Sequence, residues 1–196
     1  MVGVIQMNIL KEVKYQFRYG LPIWLIMILT AWLPDISVCI RFRGLLVSLF
    51  LPGCPKGLTL GRDVTLLAID RLFLGNQVYI AKGCWINAIG RVDFEDEVVL
   101  APYVVMSSNN HGFKDGSVKR GGAHPGPIKI GFGTWIASHS VVAANVVVGK
   151  GNLVAANSVV TKSTEDNSVQ AGVPAKHIKT RVDNPSTINS KHDIKL

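Results

Sequence analysis

Residues 74–104 read LGNQVYIAKGCWINAIGRVDFEDEVVLAPYV, and residues 130–160 read IGFGTWIASHSVVAANVVVGKGNLVAANSVV. Both stretches carry an aliphatic residue at every sixth position: Leu74, Ile80, Ile86, Val92, Val98 and Val104, then Ile130, Ile136, Val142, Val148, Val154 and Val160. An amphipathic helix repeats at about 3.6 residues and a half-buried strand at about 2, whereas six is typical of a parallel β-helix of stacked short strands. We therefore predict an all-β fold built from hexapeptide repeats.

Three hexapeptides make one coil, so the spacing predicts coils at 74–91, 92–109, 130–147 and 148–165. Leu60 and Leu66 begin a less regular coil. A solenoid buries its core only between neighbouring coils, and its two ends need caps. We predict three parts: an apolar and basic helical segment at 1–57, the β-helix at 58–180, and a short polar C-terminal tail at 181–196.

The chain has 196 residues and a formal net charge of +8, with a pI near 9.6. This charge favours an anionic partner such as a nucleotide cofactor or an acidic lipid surface. Nucleic acid is not expected, because the sequence contains no recognised binding motif and its basic residues are not interleaved with aromatic residues. Cys39, Cys54 and Cys84 show no metal-binding spacing, which favours a reducing compartment.

The N-terminal segment contains two apolar stretches, Leu21–Leu33 and Ile36–Leu51, each shorter than the roughly 20 residues that a membrane-spanning helix needs. Basic residues outnumber acidic ones near these stretches. The acidic residues are Glu12 and Asp35, and the basic residues are Lys11, Lys14, Arg18, Arg41, Arg43 and Lys56. Such a composition suits a helix at an anionic membrane surface, and it equally suits a helical cap on the end coil or against a neighbouring subunit. We expect a cytoplasmic protein, and peripheral contact with the inner face of the cytoplasmic membrane stays open.

The repeat is interrupted between residues 110 and 129, where the sequence reads NHGFKDGSVKRGGAHPGPIK. A long loop extruded from a rigid solenoid is usually functional. His111 stands at the root of this loop, and an imidazole can act as a base near neutral pH.

These features together resemble the hexapeptide-repeat O-acetyltransferases, which include galactoside, maltose and Nod-factor acetyltransferases and enzymes that acetylate bacterial surface polysaccharides. The resemblance lies in the loop opening with Asn110-His111, the restart at 130–136, and the stretches 157–162 and 171–176. It implies a left-handed β-helix, acetyl-CoA as the donor, a saccharide acceptor, and a homotrimer with active sites between subunits. Residues 32–35 and 41–46, with Cys54, resemble more narrowly the leading segment of capsule, colanic acid and lipopolysaccharide acetyltransferases.

The resemblance implies that His111 is the catalytic base for an acceptor hydroxyl and that Asn87 orients the acceptor or stabilises the oxyanion. Asn87 could equally be a turn residue that satisfies its own coil. The sugar acetyltransferases have an assisting carboxylate that has no convincing counterpart in this sequence. Asp93 and Asp115 are the candidate substitutes, and the partner that orients His111 stays unassigned. The donor-binding positions implied by the family are Trp135, Ser138, Ala156, Thr161, Lys162, Lys176 and Lys179.

No metal is expected, because His124, His139 and His177 lack the histidine spacing of the γ-class carbonic anhydrases, which share this fold. Cys84 has no basic partner in its repeat and is not expected to be a nucleophile. Two other functions stay open: N-acetylation of an amino-sugar nucleotide, and a non-catalytic scaffold at a membrane.

Overall fold

The computed structural model describes residues 9–182, as N-terminal helices followed by a parallel β-helix. The N-terminal helices are α1 Ile9–Tyr15, a π-helical turn Gln16–Gly20, α2 Leu21–Leu29 and α3 Ser37–Ser48. Helical dihedral angles run through the junctions on both sides of the π-helical turn, so α1, the turn and α2 form one continuous helix.

The strands follow coil by coil. Coils 1 and 2 contain β1 Thr59–Leu60, β2 Thr65–Leu67, β3 Leu72–Phe73, β4 Tyr79–Ile80, β5 Trp85–Asn87 and β6 Val92–Phe94, with a 3-10 turn at Ile69–Arg71. Coil 3 contains β7 Val99–Leu100, β8 Val105–Ser107, the hairpin β9 Asn109–His111 and β10 Ala123–Pro125, and β11 Ile128–Ile130; helix α4 Val118–Gly121 lies within the hairpin. The remaining coils contain β12 Trp135–Ile136, β13 Val141–Val142, β14 Val146–Val148, β15 Leu153–Val154, β16 Val159–Val160, β17 Ser168–Ala171 and β18 Lys176–Thr180.

Three parallel sheets form the faces of the β-helix. The first face stacks β1, β4, β7, β12, β15 and β17, the second stacks β2, β5, β8, β13 and β16, and the third stacks β3, β6, β11 and β14. Strand β18 is antiparallel and covers β17 at the edge of the first face. The predicted parallel β-helix is therefore confirmed.

The coil boundaries predicted from the six-residue spacing are wrong in the first half of the β-helix. Ile80 pairs with Leu100 and Ile86 pairs with Met106, so the coil length there is 20 residues rather than 18. Val98 and Val104 belong to the six-residue series used to place the coils, but they precede β7 and β8 at the turns. Both are buried, so the apolar pattern continues although the register has moved by two residues.

The core is a set of inward-pointing columns that run through the coils. On the first face one column contains Leu60, Ile80, Leu100, Ile136 and Val154, all of them buried. Each side chain packs on its equivalents above and below. This stacking explains why a single coil would have no core of its own.

The N-terminal helices pack on coil 1. Ile23, Val47 and Leu51 belong to the same core cluster as the β-helix columns. Gly44 is required where α3 meets the chain before β1, because a Cβ there would lie 1.9 Å from the carbonyl oxygen of Leu58. The helices therefore close the first end of the solenoid.

Arg43 differs from a surface cation, because its side chain is fully buried. Its guanidinium donates to the carbonyl oxygens of Leu60 at 2.8 Å and Thr30 at 3.0 Å, and to Oδ1 of Asp35 at 3.2 Å. This side chain therefore joins α3, the turn after α2 and the first coil.

Large apolar side chains on the outer side of the helices are mostly exposed. They include Phe17, Trp24, Leu29, Trp32 and Val38, which are 57–78% exposed. Within residues 9–182, no helix combines the length and apolar character needed to cross a bilayer.

Candidate functional site

The irregular segments of the β-helix leave from one corner, between the second and third faces, which we call the insertion corner. In coil 1 it holds the 3-10 turn at Ile69–Arg71, and in coil 2 the extra residues lie between Asn87 and Val92. In coil 3 the same corner extrudes the chain between Ser107 and Ile128. In coil 4 only residues 143–145 connect the two faces.

The extruded segment begins and ends as the antiparallel hairpin β9–β10. His111 pairs with Ala123, and Asn110 pairs with His124. The His111 side chain is exposed, and no other described side chain forms a hydrogen bond with its ring. The hairpin thus presents an imidazole to solvent at the root of the loop, as the sequence predicted for its position.

Asn87 lies one coil below, at the end of β5, and is 8% exposed. Its Oδ1 accepts a hydrogen bond from the N–H of Ile89 at 3.1 Å, as in an Asx turn. The oxygen is therefore used by the corner itself, in line with the turn interpretation. The same contact fixes which end of the amide is the oxygen, so that the Nδ2 group is its hydrogen-bond donor.

The root of the hairpin is held by buried Ser108. Its Oγ donates to the carbonyl oxygen of Asn87 at 2.7 Å and accepts from the N–H of Gly90 at 2.8 Å. A Cβ on Gly90 would lie 2.2 Å from the carbonyl oxygen of Ser108 and 2.5 Å from the nitrogen of Gly126. This close packing ties the Asn87 corner to both ends of the hairpin that carries His111.

Neither carboxylate suggested as a partner for His111 contacts it. Asp93 accepts two hydrogen bonds of 2.7 Å from Arg91, and these bonds raise the pKa of the arginine. Asp115 pairs with Arg120 within the loop at 3.5 Å. The structure therefore assigns both carboxylates to arginines.

Three of the predicted donor-binding residues lie away from His111, near the corner between the first and second faces. Ser138 and Ala156 are at this corner in successive coils, and the N–H of Asn157 donates to the carbonyl of Ser138 at 3.0 Å. Trp135 is on the first face and about half exposed. A strand of about 15 Å separates this corner from the insertion corner. One chain therefore does not bring these residues together with His111.

His139 also lies at this corner, and its ring stacks on Tyr103 at a centroid distance of 5.1 Å. Both residues have positive φ, 60° and 63°. A stack of this kind was not visible from the six-residue pattern, because the two residues are 36 positions apart and meet only when the loop between them is extruded.

A cavity of about 600 Å³ lies at the C-terminal end of the β-helix, and three predicted donor-binding residues line it: Thr161, Lys162 and Lys176. Lys179 does not line this cavity, although it is on the same strand as Lys176. The cavity does not reach His111. Two exposed ammonium groups at its wall suit an anionic ligand such as a phosphate.

The sequence analysis missed a polar cluster in the same cavity. Ser168 is buried, and its Oγ lies 2.7 Å from Nδ1 of His177 and accepts a 2.7 Å hydrogen bond from Nε2 of Gln170. The three residues come from β17 and β18, which pair in an antiparallel manner. Six-residue periodicity carries no signal for this pairing.

Within residues 9–182, no three His, Cys, Asp or Glu side chains are close enough together to hold a metal ion. Cys84 is buried, and burial raises its pKa to about 11. Its Sγ lies 3.2 Å from the carbonyl oxygen of Ala101. A thiol with so high a pKa is a poor nucleophile near neutral pH.

The sequence of this chain is similar to those of known acetyltransferases. Residues 127–162 match the family model described as bacterial transferase hexapeptide (six repeats). The chain is 38% identical to the galactoside O-acetyltransferase of Escherichia coli K12 over 88 residues, which are 45% of this chain and 43% of that protein. Relatives above 30% identity are thus matched over only about half of their length.

A second relative is matched over more of its length. The chain is 28% identical over 155 residues, 78% of this chain and 81% of that protein, to WcaF of E. coli K12, whose name assigns it as an acetyltransferase of colanic acid biosynthesis. Among solved structures, a galactoside acetyltransferase in complex with coenzyme A superposes with a TM-score of 0.68 at 24% identity, covering 82% of this chain and 79% of that chain. The predicted resemblance to hexapeptide-repeat acetyltransferases is confirmed.

Proposed function

We propose that this protein is an acetyl-CoA-dependent O-acetyltransferase that acts on a sugar hydroxyl of a bacterial surface polysaccharide, such as a capsule, exopolysaccharide or lipopolysaccharide, or of its precursor. The proposal rests mainly on the geometry of the insertion corner. There His111 is exposed on a hairpin whose root is hydrogen-bonded to the corner of Asn87. The names of the relatives support the reaction class, and the galactoside acetyltransferase structure that contains coenzyme A supports the donor.

In the proposed reaction, His111 accepts the proton of the acceptor hydroxyl as that oxygen attacks the carbonyl carbon of the acetyl thioester. A sugar hydroxyl is too weakly acidic to ionise near pH 7, and a positioned base typically contributes about 10²- to 10⁴-fold. The tetrahedral intermediate expels the CoA thiolate, which takes the proton from the imidazolium. The products are an acetyl ester and free CoA.

Asn87 is suited to stabilise the oxyanion of that intermediate. Its oxygen is held by the N–H of Ile89, which leaves its amide N–H groups as the donors for an oxyanion. Loss of one such donor typically lowers kcat by about 10²- to 10³-fold.

We place the donor with its pantetheine arm along Ser138 and Ala156, beside Trp135, and its phosphates near Thr161, Lys162, Lys176 and Lys179. Since Ser138 and Ala156 lie about one strand length from the corner of His111, a complete site needs His111 from one subunit and the donor slot of another. This separation supports the proposal of a homotrimer with active sites between subunits. We place the protein in the cytoplasm, peripheral to the inner face of the cytoplasmic membrane.

The test is release of free CoA from acetyl-CoA in the presence of oligosaccharide and lipid-linked glycan acceptors. His111→Ala should lower acceptor-dependent release by at least about 10²-fold. His124→Ala is the matched control, because His124 is an exposed histidine on the paired strand of the same hairpin, and its activity should stay close to wild type.

Equal activity of both variants would contradict the assignment of His111 as the base. Turnover only with amino-sugar nucleotides would favour N-acetylation. Failure of the wild type to bind acetyl-CoA would overturn the enzymatic proposal and favour a scaffold.

A further inference from the structure

The outer side of the helix formed by α1, the π-helical turn and α2 is an apolar stripe, which we call the outward stripe. It consists of Val13, Phe17, Leu21, Trp24 and Ile28, spaced three or four residues apart and 42–70% exposed. Such spacing puts them on one side of a helix about 30 Å long. Exposed apolar patches of this extent mark interaction surfaces.

The opposite side of this helix is already occupied. Ile23 belongs to the core, Ile26 and Met27 pack against it, and the hydroxyl of Tyr15 accepts a hydrogen bond from the N–H of Ile69 at 3.0 Å. The helix is therefore fixed on the β-helix by its inner side. Within residues 9–182 its outward stripe takes no part in that packing and is exposed to a partner.

Charge indicates the nature of the partner. Lys11, Lys14 and Arg18 are exposed, and their spacing places them along one flank of the outward stripe. Glu12, the acidic residue of this helix, is bound by the amide of Gln16 at 2.7 Å. Apolar residues flanked by cations are typical of helices that lie in the surface of an anionic bilayer.

The tryptophans agree with this interpretation. Trp24 is 57% exposed, and Trp32, in the turn after α2, is 78% exposed. The Nε1 of Trp32 donates to the carbonyl oxygen of Leu29 at 2.8 Å, so its polar group is satisfied. Tryptophan is enriched where an apolar ring meets the headgroups of a bilayer.

The same helix lies at the insertion corner. Tyr15 contacts the corner at Ile69, and hydrogen bonds of 3.0 Å continue up the corner, from Ala88 to the carbonyl of Leu67 and from Ser108 to the carbonyl of Asn87. Two strand spacings, about 10 Å, separate the coil beneath the helix from the root of the His111 hairpin. The hairpin itself presents Phe113, which is 75% exposed.

We infer that the outward stripe docks the protein on an anionic membrane surface, with the insertion corner at the bilayer, and that the acceptor is a saccharide carried on a membrane lipid. The choice of acceptor rests on the proposed acetyltransferase function. The docking itself does not.

Docking is tested by flotation with vesicles of phosphatidylcholine, with and without phosphatidylglycerol. The wild type should float more strongly with the anionic vesicles, and Lys11→Gln/Lys14→Gln should weaken binding by about fivefold for each lysine. Trp24→Ser/Ile28→Ser should weaken it by at least about tenfold. Val147→Ser/Val182→Ser is the matched control, because both residues are exposed but lie outside the helices, and it should bind as the wild type does.

A second readout locates the contact and does not depend on loss of binding. Lipids brominated on their acyl chains should quench tryptophan fluorescence, and Trp24→Phe should reduce the quenched fraction while keeping the helix apolar. Trp85→Phe, in strand β5, should leave the quenched intensity unchanged.

The acceptor class is tested by CoA release with one oligosaccharide, supplied either on a lipid in anionic vesicles or free in solution. Trp24→Ser/Ile28→Ser should lower the preference for the lipid-linked form at least about tenfold. An unchanged preference would overturn the acceptor assignment.

Absence of flotation, or equal flotation of Trp24→Ser/Ile28→Ser and the wild type, would overturn the docking. If the same variant instead changes the oligomeric mass without affecting vesicle binding, the outward stripe is an interface between copies and the inference is wrong. Flotation needs no acetyl-CoA, so a protein that docks but does not turn over acetyl-CoA would refute only the proposed function.

Discussion

Replacement of Arg43 by methionine should destabilise the protein and release its N-terminal helices. The buried guanidinium donates to the hydroxyl of Thr30 at 3.0 Å and to the carbonyl oxygens of Thr30, Leu33 and Leu60 at 3.0, 3.4 and 2.8 Å. It also pairs with Asp35 at 3.2 Å. Methionine retains most of the apolar stem and none of these donors.

The magnitude follows from the groups left behind. Each buried carbonyl without a donor costs about 1–3 kcal/mol. The free-energy cost at Asp35 is smaller, because its side chain is 26% exposed and it keeps a 3.0 Å hydrogen bond from the N–H of Arg62. Since water can reach part of the opened site, we expect a loss of about 3–5 kcal/mol, the range for breaking a buried ion pair on one side.

The assay is urea unfolding at one fixed protein concentration, so that any oligomerisation contributes equally to each variant. Limited trypsin digestion should show faster cleavage within residues 9–48 of Arg43→Met than in the wild type. Arg41→Met is the control, because Arg41 is exposed on the same helix and should change stability by less than about 0.5 kcal/mol. A loss below about 1 kcal/mol for Arg43→Met, with the helices still protected, would refute this reasoning.

Three further outcomes are expected. A thiol reagent at pH 8 should modify exposed Cys54 rapidly in the native protein and leave Cys84 unmodified until the protein unfolds, because Cys84 is buried with a pKa near 11. Gly90→Ala should lower acceptor-dependent CoA release by more than the loss of folded protein accounts for, as judged from its unfolding midpoint, since the new Cβ would displace the root of the hairpin. The hydrogen bond from Lys129 lowers the pKa of Glu95, so the small stabilisation of the wild type over Glu95→Gln should be present at pH 7 and be lost progressively as the pH falls below the ordinary glutamate pKa of about 4.3, as measured by urea unfolding.

Much of the β-helix could be predicted because one aliphatic residue recurs where each short strand enters the core. The true register could not, because an insertion of two residues at a corner moved the strand centres to Leu100 and Met106 while Val98 and Val104 kept the six-residue spacing. Those valines are buried at the turns, where aliphatic residues are equally acceptable. Periodicity alone therefore does not distinguish a strand centre from a buried turn.

The candidate site, too, could be predicted only in part. The interruption of the repeat predicted where a loop leaves the β-helix, and the family resemblance predicted His111 and Asn87 as site residues. The pairing of Ser168 with His177 depends on a C-terminal strand that reverses direction, and the burial of Arg43 depends on acceptors from three separate segments. The sequence does not distinguish Arg43 from the exposed cations around it, because nothing in the neighbouring sequence indicates that its side chain is buried.

The concentration of insertions at one corner has a physical cause. At the other two corners, successive coils repeat a residue with positive φ whose N–H donates to the chain one coil below: Gly83, Tyr103, His139 and Asn157 at one, and Gln77, Glu97, Gly133, Gly151 and Asn167 at the other. An insertion there would break this regular stack and the hydrogen bonds of both neighbouring coils. At the insertion corner the connections already differ from coil to coil, so a hairpin can be extruded while the strands on either side keep their partners. A loop at this corner can therefore change in length and sequence at little cost to the stacked core on which its root is held.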